Sequence, residues 1–168
     1  PLTTDGSLIL YTWNDAEGKK AFWHSTSHVM AQVLEEMFPG IQLTLGPAIA
    51  NGFYYDVDFG DQKITEADFK AIESRILEIS KEKHEFKMRA VTKAEALETY
   101  KDNVYKTELI SNLEDGTITF CDHATFTDLC RGGHIPNTSI IKAVKIMSVA
   151  GAYWRGDEKN KQLTRVYG

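Results

Sequence analysis

The sequence predicts an α+β fold, a mainly antiparallel β-sheet with helices packed on it, from three observations. Two segments carry apolar residues at helical spacing: Phe22, Val29, Met30, Val33, Leu34 and Met37 in one, and Phe69, Ile72, Ile76, Leu77 and Ile79 in the other. Short β-prone runs adjoin the turn dipeptides Asn51-Gly52 and Asp115-Gly116, which favour antiparallel hairpins. Strands and helices alternate too irregularly for a doubly wound parallel sheet.

In chain order, Leu8–Thr12 is a β-prone run and Asn14–Lys20 is polar and turn-like. The first helix is expected over Ala21–Phe38, where Pro39-Gly40 stops it. Leu43, Leu45 and Ile49, then Phe53–Phe59, predict two strands joined through Asn51-Gly52, with Tyr55 and Asp56 on opposite faces. Thr65 and Asp68 stand as a weaker relative of a capping box before a second helix that ends near Lys81–His84. Phe86–Val91 alternates like a half-buried strand, Thr92 and Glu95 cap a short helix over Ala94–Tyr100, and Val104–Asn112 predicts another. A strand over Thr117–Asp122 then feeds a loop at Asp128–His134. Ile140–Val149 alternates well enough for a strand, Gly151–Trp154 permits a bend, and Gln162–Tyr167 is the last strand.

The chain has 168 residues and 42% apolar content, enough for one domain with a real core. Its formal charge of −5, from 19 basic and 24 acidic residues, argues against tight nucleic-acid binding through bulk electrostatics, so such contact needs a local patch or a neighbouring domain. Two cysteines, Cys121 and Cys130, are too few for a disulfide framework and are expected as free thiols of a cytoplasmic protein. No apolar run approaches the ~20 residues of a membrane span, and no signal-peptide pattern opens the chain, so no membrane partner is expected. A start at Pro1 without an initiator methionine reads as a piece of a longer protein.

Asp128-Leu-Cys-Arg-Gly-Gly-His134 gathers a carboxylate, a thiol, a guanidinium and an imidazole, and its glycines let the backbone turn His134 back toward Cys130. His24 and His28 stand four apart on the first helix and project from one face. Either pair alone is a weak signal, since histidine pairs on helices and lone buried cysteines are commonly structural. Together, in a chain with five histidines and two cysteines, they supply the N, N, S, N donors of a tetrahedral zinc set and point to a shared site at the N-terminal end of the first helix. Asp128, Lys106 and Tyr55 are polar groups that can join this site or stand as solvated side chains.

Four motifs carry a resemblance: Phe-Trp-His-Ser-Thr-Ser-His at 22–28, Gly-Phe-Tyr-Tyr-Asp at 52–56, Asp-Leu-Cys-Arg-Gly-Gly-His at 128–134 and Ala-Gly-Ala-Tyr-Trp-Arg-Gly-Asp at 150–157. With them the sequence resembles the editing (second additional) domain of bacterial threonyl-tRNA synthetases, a fold shared with alanyl-tRNA synthetases. The resemblance implies that 1–20 are the tail of a preceding small domain and linker, 21–162 the editing domain, and 163–168 the start of a connector to the catalytic core. It implies hydrolysis of seryl-tRNA(Thr), with tRNA(Thr) and the other domains of a homodimeric, cytoplasmic synthetase as partners. ATP, magnesium and a catalytic zinc belong to the core outside this chain.

Carried over residue by residue, the resemblance implies catalytic roles for His24, His28, Lys106, Cys130 and His134, and substrate binding by Tyr55 and Asp128. No cofactor is implied for this domain, although alanyl-type relatives hold a zinc where His24, His28, Cys130 and His134 stand. Gly133 departs from the proline of many relatives, which bears on the loop's rigidity. The competing reading is a non-catalytic, zinc-stabilised module that grips the tRNA acceptor end through Lys81, Lys83, Lys87, Arg89, Lys93, Arg155, Lys159 and Lys161.

Overall fold

A computed structural model describes residues 3–168. Helix α1 spans Ala16–Met37 and is followed by strands β1 (Gln42–Leu43), β2 (Ala48–Ile49) and β3 (Gly52–Asp58). Helix α2 (Glu66–Lys81), strand β4 (Lys87–Ala90), and the short helices α3 (Lys93–Thr99) and α4 (Val104–Ser111) come next. Strands β5 (Thr119–His123), β6 (Phe126–Leu129), β7 (Ser148–Tyr153) and β8 (Gln162–Tyr167) complete the chain, with 3₁₀ turns at Thr138–Ile140 and Trp154–Gly156. Strands β1, β3, β8 and β7 pair in that order, with β2 also on β3, while β4, β5 and β6 form a second sheet. Every pairing is antiparallel, so the fold is α+β as the turn signals predict.

Helix α1 is the hub, because every residue from Ser25 to Leu34 is buried. It packs on β3 and α2, and its Val29, Met30, Val33 and Leu34 share one core with Tyr55, Val57, Ile72, Ile76 and Ile79. Three consecutive buried hydroxyl residues would be costly without partners. Ser25 and Thr26 donate to the carbonyls of Ala21 and Phe22, both at 2.8 Å, and Ser27 lies 2.7 Å from the carbonyls of His24 and Gly46. A second core of Val91, Ala96, Ile110, Ile118 and Phe120 fastens α3 and α4 to the β4–β5–β6 sheet.

Several expectations need correction. Helix α1 begins at Ala16, not Ala21: Asp15 is its N-cap, taking the Thr12 N–H and hydroxyl on its carboxylate at 2.7 and 2.9 Å, so the polar Asn14–Lys20 stretch mostly forms its opening turns. The described part of the first 13 residues holds no strand, because Leu8, Ile9 and Leu10 are exposed and no neighbouring backbone pairs with them. The β2–β3 hairpin pairs Ile49 with Gly52, so Ala50-Asn51 is the turn and Gly52, at φ +126°, opens the strand. Asp128 and Leu129 belong to β6, so only residues 130 onward are loop.

Alternation over Ile140–Val149 does not make a strand. Thr138–Ile140 is a 3₁₀ turn, Ile141 and Ile146 dip into the core without a ladder, and β7 begins at Ser148. Gly151 lies inside β7, while the bend falls at Trp154–Gly156, where Arg155 takes φ +55°. The boundary at 20/21 cuts α1, and the one at 162/163 cuts β8, which lies between β3 and β7.

The Thr65–Asp68 pair closes a capping box at the start of α2, with the Thr65 N–H on Asp68 Oδ2 at 2.8 Å. Thr65→Ala is expected to lower the unfolding free energy by about 1 kcal/mol in a urea titration, with an unchanged m-value.

Candidate active site

Four elements bring the sequence's candidates to one place. His24 and His28 project from α1, Tyr55 from β3, Lys106 from the first turn of α4, and Asp128 from β6 with Cys130 just past its end. With α1 starting at Ala16, the histidines sit in its third and fourth turns and not at its tip. His24, His28, Tyr55, Lys106, Asp128 and Cys130 line a cavity of about 660 Å³, together with the apolar Leu109, Leu113 and Ile118. His134 is not among the lining residues and supports the site from behind Cys130.

The sulfur of Cys130 lies 3.2 Å from His24 Nε2 and 3.1 Å from His134 Nε2. Centroids of the His24, His28 and His134 rings are 4.6–4.7 Å apart pairwise. Ser25 fixes one tautomer. Its hydroxyl proton goes to the Ala21 carbonyl, so its oxygen, 3.1 Å from His134 Nδ1, accepts the proton there and leaves a lone pair on Nε2. The Gly46 carbonyl draws a proton onto His24. Two imidazoles therefore converge on one sulfur that carries at most one proton.

One donor atom from each of His24, His28, Cys130 and His134 falls within 4.8 Å of the others. Around a tetrahedral zinc with bonds of about 2.0–2.3 Å, ligand atoms lie roughly 3.3–3.6 Å apart, so the set is close to what that ion needs. His28 Nδ1, buried without a hydrogen-bond partner, is consistent with that fit. The four residues can hold a metal ion.

Electrostatics keep this group neutral. Burial pushes the His28 imidazole well below its ordinary range, helped by the neighbouring imidazoles, and burial holds His134 at about 3. Burial pushes the Cys130 thiol up to about 11, against the Gly132 N–H that reaches its sulfur at 3.2 Å. Beside it lies the opposite case. Lys106 Nζ and Asp128 Oδ1 form an ion pair with both side chains almost fully buried, and the Tyr55 hydroxyl donates to Asp128 Oδ2 at 2.6 Å. Lys106 Nζ also donates to the Tyr55 oxygen at 3.3 Å, and His28 Nε2 stands 3.7 Å from Asp128 Oδ2. A methyl at Gly46 would come within 2.2 Å of the Tyr55 ring, so glycine there is what lets the tyrosine reach Asp128.

Sequence reasoning missed the supports. Phe86 stacks on His134 at 5.0 Å and 5°, and the buried His123 lies against Phe86 and Phe126, both of its nitrogens lacking partners. Burial holds His123 neutral, at about 4. No spacing rule links these residues to the site. Ser25, directly after His24, was legible only as a possible hydroxyl partner.

This geometry defines a small-molecule cavity in which a buried lysine–carboxylate pair faces an imidazole–thiol cluster, on an antiparallel α+β scaffold. Residues 118–167 match the family described as the threonyl and alanyl tRNA synthetase second additional domain. It is 90% identical over its whole length to a threonine--tRNA ligase of Flavobacterium johnsoniae, and 89% identical over 99% of its length to that of Flavobacterium psychrophilum. A threonine--tRNA ligase of Parabacteroides distasonis matches the whole chain at 59% identity. The chain spans 26% of the length of each of these relatives.

The buried pair makes a stability prediction. Lys106→Met or Asp128→Asn alone leaves a buried group uncompensated and is expected to cost about 3–5 kcal/mol. The double variant is expected to lose less than the sum by at least about 1 kcal/mol, measured as a double-mutant cycle in denaturant. Additive losses would mean that the pair is not coupled.

Proposed function

We propose that this cavity hydrolyses the ester of mischarged seryl-tRNA(Thr), as the editing part of a threonine--tRNA ligase. One observation carries the reading: His24, His28 and Cys130, with His134 behind them, converge with Lys106, Asp128 and Tyr55 on one cavity in a chain that matches this family. The chemical need comes from magnitudes. A single methyl gives a pocket only about 1–3 kcal/mol of discrimination, so serine taken in place of threonine calls for a second site.

The residues divide the work by charge. Asp128, an acceptor, meets the seryl ammonium, and the Lys106 ammonium, fixed by Asp128 and Tyr55, stabilises negative charge as it develops on the ester carbonyl. His24, held neutral mainly by burial and lining the cavity, orients the attacking water and takes its proton. Cys130 and His134 hold His24 in place, and His28 closes the cavity floor beside Asp128. The Tyr55 ring, locked by Gly46 and Asp128, is the wall that a threonyl methyl meets. A zinc held by His24, His28, Cys130 and His134 would supply a Lewis acid and a thiolate at Cys130. The proposal does not require it, because lysine, imidazole and carboxylate already cover the three roles.

The gripping module draws little support, because most of its basic residues are already engaged. Arg89 is paired with Glu95 and Asp122, Arg155 with Glu108, Lys161 with Asp58 and Lys87 with Glu85, while Lys93 caps the Ser111 and Leu113 carbonyls.

Two measurements test the reading. In single-turnover deacylation of seryl-tRNA(Thr), His24→Ala is expected to slow hydrolysis by roughly 100-fold or more while thermal unfolding stays close to wild type. A wild-type rate in His24→Ala removes the imidazole from the mechanism. In the second, exhaustive dialysis against a chelator, followed by elemental analysis, is expected to leave the rate within about twofold. Stoichiometric zinc, with activity lost on its removal and regained on its return, would transfer water activation to the metal.

A further inference from the structure

Of the four motifs the sequence presents, Ala-Gly-Ala-Tyr-Trp-Arg-Gly-Asp at 150–157 is the one that sends no residue into the cavity. Its Trp154 is nevertheless buried, and its Arg155 stands at φ +55°, a left-handed conformation that costs an arginine energy and a glycine little. Both side chains end on one residue of α4. Trp154 Nε1–H donates to Glu108 Oε2 at 2.9 Å, and the Arg155 guanidinium pairs with Glu108 Oε1 at 2.8 Å. An ion pair between side chains 47% and 46% exposed adds little to stability, so its place on a strained backbone calls for another use.

Helix α4 needs such ties. Its eight residues are too few for a helix to hold itself in water, so its position follows from what grips it. Asn103 sets the first turn: its side chain accepts from the Tyr105 and Lys106 N–H groups at 3.1 and 3.0 Å and donates to the Leu43 carbonyl at 2.9 Å. The Tyr105 hydroxyl donates to Asp58 at 2.7 Å, and its ring meets Trp154 edge-on at 5.1 Å. Lys106 and Glu108 stand two positions apart and so leave the helix on roughly opposite sides, one toward the cavity and one toward the turn between β7 and β8. Leu109 belongs to both sides, packing on the Trp154–Tyr105 cluster and lining the cavity. We propose that Trp154, Arg155 and Glu108 are positioning residues of the hydrolytic site, a clamp that fixes α4 and thereby the place of the Lys106 ammonium. A misplacement of about 1 Å can cost on the order of 100-fold in rate, so a surface clamp that touches no substrate can still govern the reaction.

This inference rests on the hydrolytic reading, and two arms keep their failures apart. The first needs no activity: amide hydrogen exchange over residues 104–111 is compared among the wild-type protein, Glu108→Ala and Arg155→Gly. Glycine at φ +55° relieves the backbone and offsets its greater freedom in the unfolded chain. Thermal unfolding of Arg155→Gly is therefore expected to stay close to wild type, while the α4 amides exchange at least about tenfold faster in both variants. Unchanged exchange in both overturns the clamp. The second arm is deacylation of seryl-tRNA(Thr). Both variants are expected to lower kcat at least about tenfold with a much smaller change in KM, whereas Arg155→Lys, which keeps a cation within reach of Glu108, is expected to stay within about threefold of wild type. Faster exchange with a wild-type kcat makes the contact merely structural and overturns the positioning role. A loss in Arg155→Lys equal to that in Arg155→Gly overturns the pairing with Glu108 as its cause. A wild-type protein that leaves seryl-tRNA intact overturns the hydrolytic reading itself, and with it the use proposed for the clamp, whatever the exchange shows.

Discussion

The contact on which the structure depends is the buried ion pair between Lys106 and Asp128, with the Tyr55 hydroxyl closing the third side. It joins α4, β6 and β3, which belong to different layers and to both sheets. Removing two charges from water costs several kcal/mol per ion, and apolar residues of similar volume often serve stability as well or better. Stability alone does not call for a lysine and an aspartate here. Their value is positional, since they set fixed charges at the wall of a cavity where low polarisability keeps electrostatic effects large.

Around that pair the fold places an opposite environment a few ångströms away. Burial, helped at His28 and His134 by the neighbouring imidazoles, drives His28, His134 and Cys130 toward their neutral forms, whereas Lys106 and Asp128 compensate each other's charge. One cavity thus presents uncharged proton acceptors beside a fixed cation and a fixed anion. Ser25 and Phe86 orient His134, which in turn holds the sulfur against His24, so the precision of the site rests on residues that do not line it.

Elements with strong local signals were legible from the chain. The period of α2, its Thr65–Asp68 box and the Thr92 cap of α3 depend on neighbours in sequence, and the structure has them where the pattern puts them. Errors fell where tertiary packing overrides a local rule. Leu8–Thr12 has strand composition but no partner, and Ile140–Val149 alternates because its isoleucines reach a core from irregular backbone. The sequence pattern puts Asp128 in a loop because a four-residue strand between two turns is too short for a periodic signal.

The sequence by itself determined the fold class, the donor types of the site and the facing of His24 with His28, because a helix fixes the geometry of positions four apart. It also determined that two glycines after Arg131 would return the chain toward Cys130, and both take positive φ, at +95° and +84°. Only the tertiary structure decided that Lys106, Tyr55 and Asp128 are one bonded cluster and not three solvated side chains. It alone placed His134 behind the sulfur, brought Phe86 and His123 to its back, and opened a cavity beside the ion pair. The reason is that contacts between residues 20 to 110 positions apart are set by how helices and sheets pack, which no local spacing encodes.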